Sequence, residues 1–389
     1  MDKIKVAVIG AAGRIGPYLV RRLDLENAYE PVPVIRDRMA IRFLGDYRQL
    51  TRIGSITDRD SASRFIGDCE VVINLAFSGS TANAIANNIK LVEAITTLKS
   101  VKVFINLSTI SVHGLPFTES RMNFVKPKPT SAYGKSKLAM ERIVADAFRK
   151  TDTKYFLIRL GNVYGPSQTV SRMVFEDVTS TSFQLPFGGD LASNAVSVQH
   201  FIDGIVSILN NPPSSGVYNC TDEPQRTWRE IYDMHTDAWN LPRVTSMSPA
   251  SSYLLRKTVR ISSGIEPLPF RYKIKKIIKY FAHNSLINNR ISKKLYFTYR
   301  EHIPMNIDKR IARTFGSTLS DVVIGRIAES TTKISHKKTI SLLLSDPVPG
   351  KNLKLDPSAN ISAVNSSDEL LEWFRDLSEF PWDTSVLRM

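Results

Sequence analysis

Cysteine is nearly absent: the chain of 389 residues has two, Cys69 and Cys220, too few for a disulfide framework or a zinc site. Both sit in strand-like surroundings and read as core thiols. No run of about 18 consecutive apolar residues occurs, so no segment is expected to span a bilayer. A basic leader with a long apolar run and a small-residue cleavage site is also missing, because Met1 to Gly10 leads straight into the apolar pattern Ile4, Val6, Val8 and Ile9. A cytoplasmic location is the resulting expectation. Internal repeats and long low-complexity tracts are lacking. Acidic residues run short, 37 against 52 Lys and Arg, for a formal charge of +15. The deficit is local: between Arg243 and Arg313 sixteen Lys and Arg face three Asp and Glu. The basic excess is therefore a property of a C-terminal segment.

What the chain does have is enough apolar character, 42% of its residues, for a sizeable core. Its first 165 residues alternate short apolar runs with amphipathic stretches, the pattern of repeated βα units on a parallel sheet. Strands are predicted at Lys3–Ile9, Val32–Ile35, Thr51–Ile53, Glu70–Leu75, Lys102–Leu107 and Lys154–Arg159. Helices are predicted around Ile15, Leu19 and Leu23, around Ile85, Ile89 and Leu91 to Ile95, and over Ala132 to Phe148. After Pro166 the pattern loosens, with a helix at His200–Leu209, a strand at Val217–Asn219 and a helix opening at Thr227, where Glu230 completes a capping box. The fold class is α/β, a Rossmann-like doubly wound sheet. Residues 1–167 form the nucleotide-binding part, with parts of 190–222 returning to it. Residues 168–245 form a smaller substrate-binding portion, and 246–389 a basic, mostly helical extension ending in an amphipathic helix at Asp368–Leu377.

The segment Gly10-Ala11-Ala12-Gly13-Arg14-Ile15-Gly16 follows the first strand and opens the first helix. A turn this tight needs glycine where φ is positive, brings the backbone close to a pyrophosphate and aims free helix amides at it. Pro17 fits the first helical turn. The spacing G-x-x-G-x-x-G is a variant of the G-x-G-x-x-G fingerprint. About twenty residues on, the second strand ends in Ile35-Arg36-Asp37-Arg38. An acidic side chain there would bond the ribose hydroxyls of NAD, and a basic one would accept the extra phosphate of NADP. With Arg36 first in the loop, and Arg38 and Arg14 nearby, NADP is preferred over NAD.

Tyr133 and Lys137 lie four residues apart and project from one face of a helix. A phenol works as a proton carrier when its pKa of about 10 is lowered, which a neighbouring ammonium does. Tyr253/Lys257 and Tyr272/Lys276 repeat the spacing, so position decides: only Tyr133 opens a helix after the fifth strand. That strand runs into Ser108-Thr109-Ile110-Ser111, placing small hydroxyls at a carboxyl strand end, where ligands of open α/β sheets bind. Thr109 is expected to hold the reacting oxygen against Tyr133, with Ser108 or Ser111 as the alternative.

Taken together these motifs resemble the extended short-chain dehydrogenase/reductase family, the NAD(P)-dependent epimerase/dehydratases of the UDP-glucose 4-epimerase kind. Five features agree in order: Gly10 to Gly16, Asn74-Leu75-Ala76, Ser108-Thr109 with Val112-His113-Gly114, the Tyr133/Lys137 pair, and R-L-G-N-V-Y-G-P from Arg159 to Pro166. They cover residues 1 to 240. The resemblance implies Tyr133 as acid/base, Lys137 as its electrostatic partner and ribose ligand, and Thr109 beside the substrate. Asn162 and Ser111 are implied as substrate contacts. The implied cofactor contacts are Gly10, Ala12, Gly13, Arg14, Ile15, Gly16, Arg36, Ser55, Ile56, Leu75, Ala76, Ser108, Tyr133 and Lys137. An active-site Asn is expected on the helix that carries Asn83, Asn87 and Asn88. Three departures stand out. Ser55-Ile56 replaces Asp-Ile at the adenine, and Val198-Gln199-His200 replaces Val-Asp-Asp. Thr109-Ile110-Ser111 replaces the Thr-Asp-Glu of sugar 4,6-dehydratases, which removes carboxylates that elimination of water needs. Epimerase or reductase therefore ranks above dehydratase.

The implied reaction is hydride transfer on a small molecule, a nucleotide sugar first. An NADPH-dependent reductase of a small or lipid-linked carbonyl compound is the second reading, and a non-catalytic cofactor-binding scaffold the third. A homodimer is a further expectation. Lys273, Lys275, Lys276 and Lys279 interleave with Ile274, Ile277 and Ile278, so a peripheral contact with an anionic membrane through this segment competes with a simple solvated face. Nucleic acid ranks lowest, since no recognised module accompanies the charge.

Overall fold

The structure is a computed structural model and describes residues 2–77, 81–114, 126–179 and 183–262. Seven parallel strands form one sheet. In chain order they are β1 (Ile4–Ile9), β2 (Tyr29–Ile35), β3 (Arg52–Ile53), β4 (Val71–Asn74), β5 (Val103–Thr109), β6 (Lys154–Leu160) and, after a separate pair β7 (Asn162–Tyr164) and β8 (Ala195–Ser197), β9 (Gly216–Cys220). Their spatial order is β3-β2-β1-β4-β5-β6-β9. The chain winds outward from β1 through β2 to β3, then returns to lay β4 on the other side of β1. Such a reversal opens a crevice at the carboxyl ends of β1 and β4, where a doubly wound sheet takes its ligand.

Strand alternation divides the core into two layers. Val6, Val8, Ile73, Ile105, Leu107, Phe156 and Ile158 pack with Leu19 and Leu23 of α1 (Gly16–Leu25) and with Phe201 and Ile205 of α6 (Val198–Asn210). Ala7, Val72, Phe104 and Leu157 point the other way. They meet Ile66 of α2 (Arg59–Ile66), Val92 and Ile95 of α3 (Thr81–Thr96), and Met140, Val144 and Phe148 of α4 (Ala132–Phe148). Phe104 stacks on Phe148 at 4.9 Å between centroids, a contact of about 0.5–1.5 kcal/mol beyond its area. It fixes α4 over β5. Cys69 and Cys220 are free and buried, and burial pushes the Cys69 thiol up to about 12.

The helix over 132–148 and all seven expected strands are present, β5 running two residues further to Thr109. Thr227 caps α7 (Trp228–Ala238) with the expected box: its backbone N–H donates to Glu230 Oε2 at 2.6 Å and its side chain accepts from Glu230 N. The loosened region after Pro166 is more regular than its sequence suggests. It contains α5 (Thr169–Val178), whose N-cap Gln168 makes no side-chain cap bond, and the three-residue strands β7 and β8. These pack with α7 around Tyr164, Trp228 and Tyr232, all fully buried. α8 (Pro249–Ser262) is the part of the basic extension that lies among the described residues. The lysine-rich stretch 273–294 and the helix expected at 368–377 lie outside them. No helix among the described residues is long and apolar enough to cross a membrane.

Candidate active site

The glycine turn joins β1 to α1 beside the end of β4. Gly10 has φ +81°, and a Cβ there would stand 2.9 Å from the Ala76 backbone nitrogen, so the turn and the β4 exit touch backbone to backbone. Gly13 donates to the Gly10 carbonyl at 2.9 Å and is exposed, with Ala12, Arg14 and Ile15 half-buried around it. Ile15 is the N-cap of α1 and offers it no side-chain cap, which leaves that helix end suited to an anion. Gly16 is buried where α1 begins. The rim of the turn is tied to the α5 entry: Arg14 Nη1 donates to Thr169 Oγ1, and Gln168 Nε2 donates to the Arg14 carbonyl at 3.0 Å.

At the end of β2, Asp37 caps the following 3₁₀ segment by accepting from Met39 N at 2.9 Å. Arg36 and Arg38 are exposed beside it. The acidic member of the Arg-Asp-Arg triplet is thus engaged in backbone capping, and the basic members face solvent. Ser55 is exposed, whereas Ile56 is buried against the α2–α3 layer. Leu75 is half-buried and Ala76 exposed, next to the glycine turn.

α4 opens at Ser131, whose hydroxyl accepts from Gly134 N at 3.0 Å. A Cβ on Gly134 would lie 2.6 Å from the Ser111 carbonyl, so glycine lets the helix start against the end of β5. This brings Tyr133, Lys137 and Thr109 together. Thr109 is 8% exposed and Lys137 6%, while Tyr133 keeps 42% of its surface open to the cleft. Thr109 Oγ1 accepts from Ser111 N and lies 3.2 Å from Ser111 Oγ. Lys137 Nζ donates to the Leu107 carbonyl at 2.9 Å and sits 5.9 Å from the Tyr133 ring centroid.

One expectation is corrected here. The packing around Tyr133 raises its phenol above the ordinary tyrosine range despite the exposed edge, and the hydrogen bond with Thr109 draws it partly back. The lowering expected from Lys137 is not what governs this geometry. Burial instead pulls the lysine down to about 8, against the upward effect of Glu141. At neutral pH the phenol therefore carries its proton and most of the lysine its charge.

The structure also places groups that the motifs did not single out. Phe77 follows Asn74-Leu75-Ala76 and puts its ring edge-on to Tyr133 at 5.1 Å, with the Lys137 ammonium 4.4 Å from its centroid. Asn88 is the buried member of the asparagine trio. Its side-chain oxygen accepts from Asn74 Nδ2 at 3.2 Å, and the same nitrogen donates to Asn106 Oδ1 at 2.8 Å. Asn87 is exposed, and the side chain of Asn83 lies outside the described residues. Ser108, expected at the cofactor, faces α4 instead and donates to Glu141 Oε1 at 2.5 Å. Successive strand residues point to opposite faces, so Thr109 reaches the cleft and Ser108 goes under the helix. Asn162 uses its amide to donate to the Ser193 carbonyl at 2.7 Å.

A parallel doubly wound sheet, a glycine turn at its switch point and a Tyr/Lys pair on the helix after β5 define a dinucleotide-binding enzyme class. The chain belongs to the NAD dependent epimerase/dehydratase family, whose pattern it matches over residues 6–220. It is 30% identical over 110 residues to a dTDP-L-rhamnose 4-epimerase of Burkholderia thailandensis, covering 26% of this chain and 30% of that protein. It is 29% identical over 200 residues to a UDP-glucose 4-epimerase of Streptococcus mutans, covering 46% of this chain and 58% of that protein. The matches thus span between about a third and three-fifths of these relatives. Among solved structures, UDP-glucuronic acid 4-epimerase from Bacillus cereus in complex with NAD superposes with a TM-score of 0.52 at 22% identity, over 62% of this chain and 86% of that one. dTDP-glucose 4,6-dehydratase from Bacillus anthracis in complex with NAD gives 0.52 at 16% identity, over 72% and 97%. These likenesses confirm the Rossmann-like fold.

Proposed function

We propose that this chain is an NAD(P)-dependent sugar-nucleotide epimerase or reductase working through Tyr133, Lys137 and Thr109. The observation that carries the reading is the convergence of these three side chains at the carboxyl end of β5, beside the β1 turn and the Ala76 exit. The family relatives act, by their names, on UDP- and dTDP-sugars, which makes a nucleotide sugar the first substrate class. The residues present fit a dinucleotide: a positive-φ glycine packed against Ala76, an α1 terminus without side-chain cap, and Arg36 exposed at the end of β2. Gly10 to Gly16 would hold the pyrophosphate, Arg36 the adenosine ribose with its extra phosphate, and Lys137 the nicotinamide ribose. When bound, the nicotinamide accepts or returns hydride. The chain's own residues manage the proton. Thr109 orients the reacting oxygen, and Tyr133 gives its proton to a carbonyl being reduced or takes one from a hydroxyl being oxidised. Ile110 and Ser111 bring no carboxylate for elimination of water, so dehydration ranks below both.

A second reading, an NADPH-dependent reductase of a small or lipid-linked carbonyl compound, is favoured by the protonated resting phenol and by the exposed Arg36. The two readings are separated by incubating the full chain with NAD(P) and a panel of UDP-, GDP- and dTDP-sugars, followed by chromatography and by absorbance at the reduced-nicotinamide band. A new sugar or cofactor turnover is expected; no change with any sugar contradicts the first reading.

A further inference from the structure

The functional face of α4 continues past Lys137. Glu141 comes at the next four-residue step, 4% exposed, so Tyr133, Lys137 and Glu141 lie in one row. Its carboxylate is held from the sheet below: Arg159 donates from Nε to Oε1 at 2.9 Å and from Nη2 to Oε2 at 2.7 Å, and Ser108 donates at 2.5 Å. Ser108 and Arg159 are register partners on β5 and β6, so the pleat aims both at the same point of the helix. Arg159 Nη1 lies 3.4 Å from His113 Nε2. Burial, and then the Arg159 charge, push His113 down to about 4, so it stays neutral and adds no second positive charge.

Lys137 itself meets few compensating groups. Its hydrogen-bond acceptor is the Leu107 carbonyl, its apolar neighbour is the Phe77 ring, and the uncharged Tyr133 ring lies 5.9 Å away. A buried ammonium with only dipoles around it tends to lose its proton. Among the described residues Glu141 is the anionic side chain that acts on it. We propose that Glu141, clamped by Arg159 and Ser108, is a positioning residue that keeps Lys137 an ammonium ion beneath Tyr133. The inference rests on the reading of Tyr133 and Lys137 as the working pair. A carboxylate left loose would swing toward the ammonium and draw it off the cleft; the double hydrogen bond from Arg159 keeps it near enough to act through space while the lysine stays on Leu107.

The test reads the lysine directly. In the full chain carrying lysine labelled with ¹³C at Cε, the Lys137 resonance is assigned by its loss in Lys137→Met and titrated by NMR. In the unmodified protein its midpoint is expected near 8. Glu141→Gln is expected to lower the midpoint by about one pH unit or more, and Glu141→Asp, which keeps the charge, to restore most of it. Since Glu141→Gln strands the Arg159 charge, the neutral double variant Glu141→Gln/Arg159→Met is titrated alongside and is expected to move in the same direction. Folding of each variant is checked by circular dichroism. A folded neutral variant whose lysine titrates as in the unmodified protein overturns the proposal. The readout needs no substrate, so a chain inactive on every sugar would count against the catalytic reading and leave this result standing.

Discussion

Replacing Tyr133 with Phe is expected to cut turnover by about 10²- to 10⁴-fold, the usual worth of a positioned acid/base. The substitution removes one oxygen from a ring that is 42% exposed and keeps its edge-on contact with Phe77, so the fold has little reason to respond. The loss should fall on kcat more than on KM, because the proton moves in the transition state. The pH profile should change as well. In the unmodified protein the phenol is raised by its surroundings, so oxidation of a hydroxyl should gain rate as pH rises toward the tyrosine range, and this rising limb should vanish in the variant. Turnover by Tyr133→Phe within a factor of two of the unmodified protein would remove Tyr133 from the chemistry.

Arg159→Met is expected to produce the largest loss of stability, about 3–5 kcal/mol, as commonly follows removal of one partner from a buried ion pair. The Arg159 and Glu141 side chains are 13% and 5% exposed, and the variant leaves the carboxylate with only the Ser108 hydroxyl. The arginine also joins three elements: β6, through its own backbone; α4, through Glu141; and the 3₁₀ turn after β5, through His113. Urea denaturation followed by circular dichroism measures the cost, and the double variant Glu141→Gln/Arg159→Met should recover part of it, because a neutral pair has no stranded charge. A single variant within 1 kcal/mol of the unmodified protein would show that the pair is solvated enough to be dispensable.

The parallel sheet was legible because its strands are buried on both faces and stand out as short apolar runs between amphipathic stretches. α4 was legible from end to end, from Ala132 to Phe148. α5 was not, since Gln168 gives no capping signal and the segment follows Gly165-Pro166, a sequence that reads as loop. β7 and β8 are not legible because they pair only with each other, apart from the main sheet. Their pairing depends instead on long-range contacts such as Asn162 N–H to the Asn194 carbonyl at 2.9 Å.

The candidate site divides along the same line. Gly10 to Gly16 and the Tyr133/Lys137 pair are local patterns, and spacing alone carries them. The clamp of Ser108 and Arg159 on Glu141 joins residues 33 and 18 positions apart, and only the register of β5 on β6 brings them together. Glu141 had one local signal, its place four residues beyond Lys137 on the same helix face. The asparagines 83, 87 and 88 could not be ranked by sequence; burial and the bond to Asn74 single out Asn88. The direction of the Tyr133 shift is not legible in the sequence, because a helical spacing reports which groups are neighbours and not how much water each retains.

The most direct test of the whole account is a calorimetric titration of the full chain with NADPH and NADH. Saturable binding of one molecule per chain is expected, tighter for NADPH, with the preference reversed in Arg36→Asp. Failure of both dinucleotides to bind at millimolar concentration would contradict the assignment of the cleft between β1 and β4.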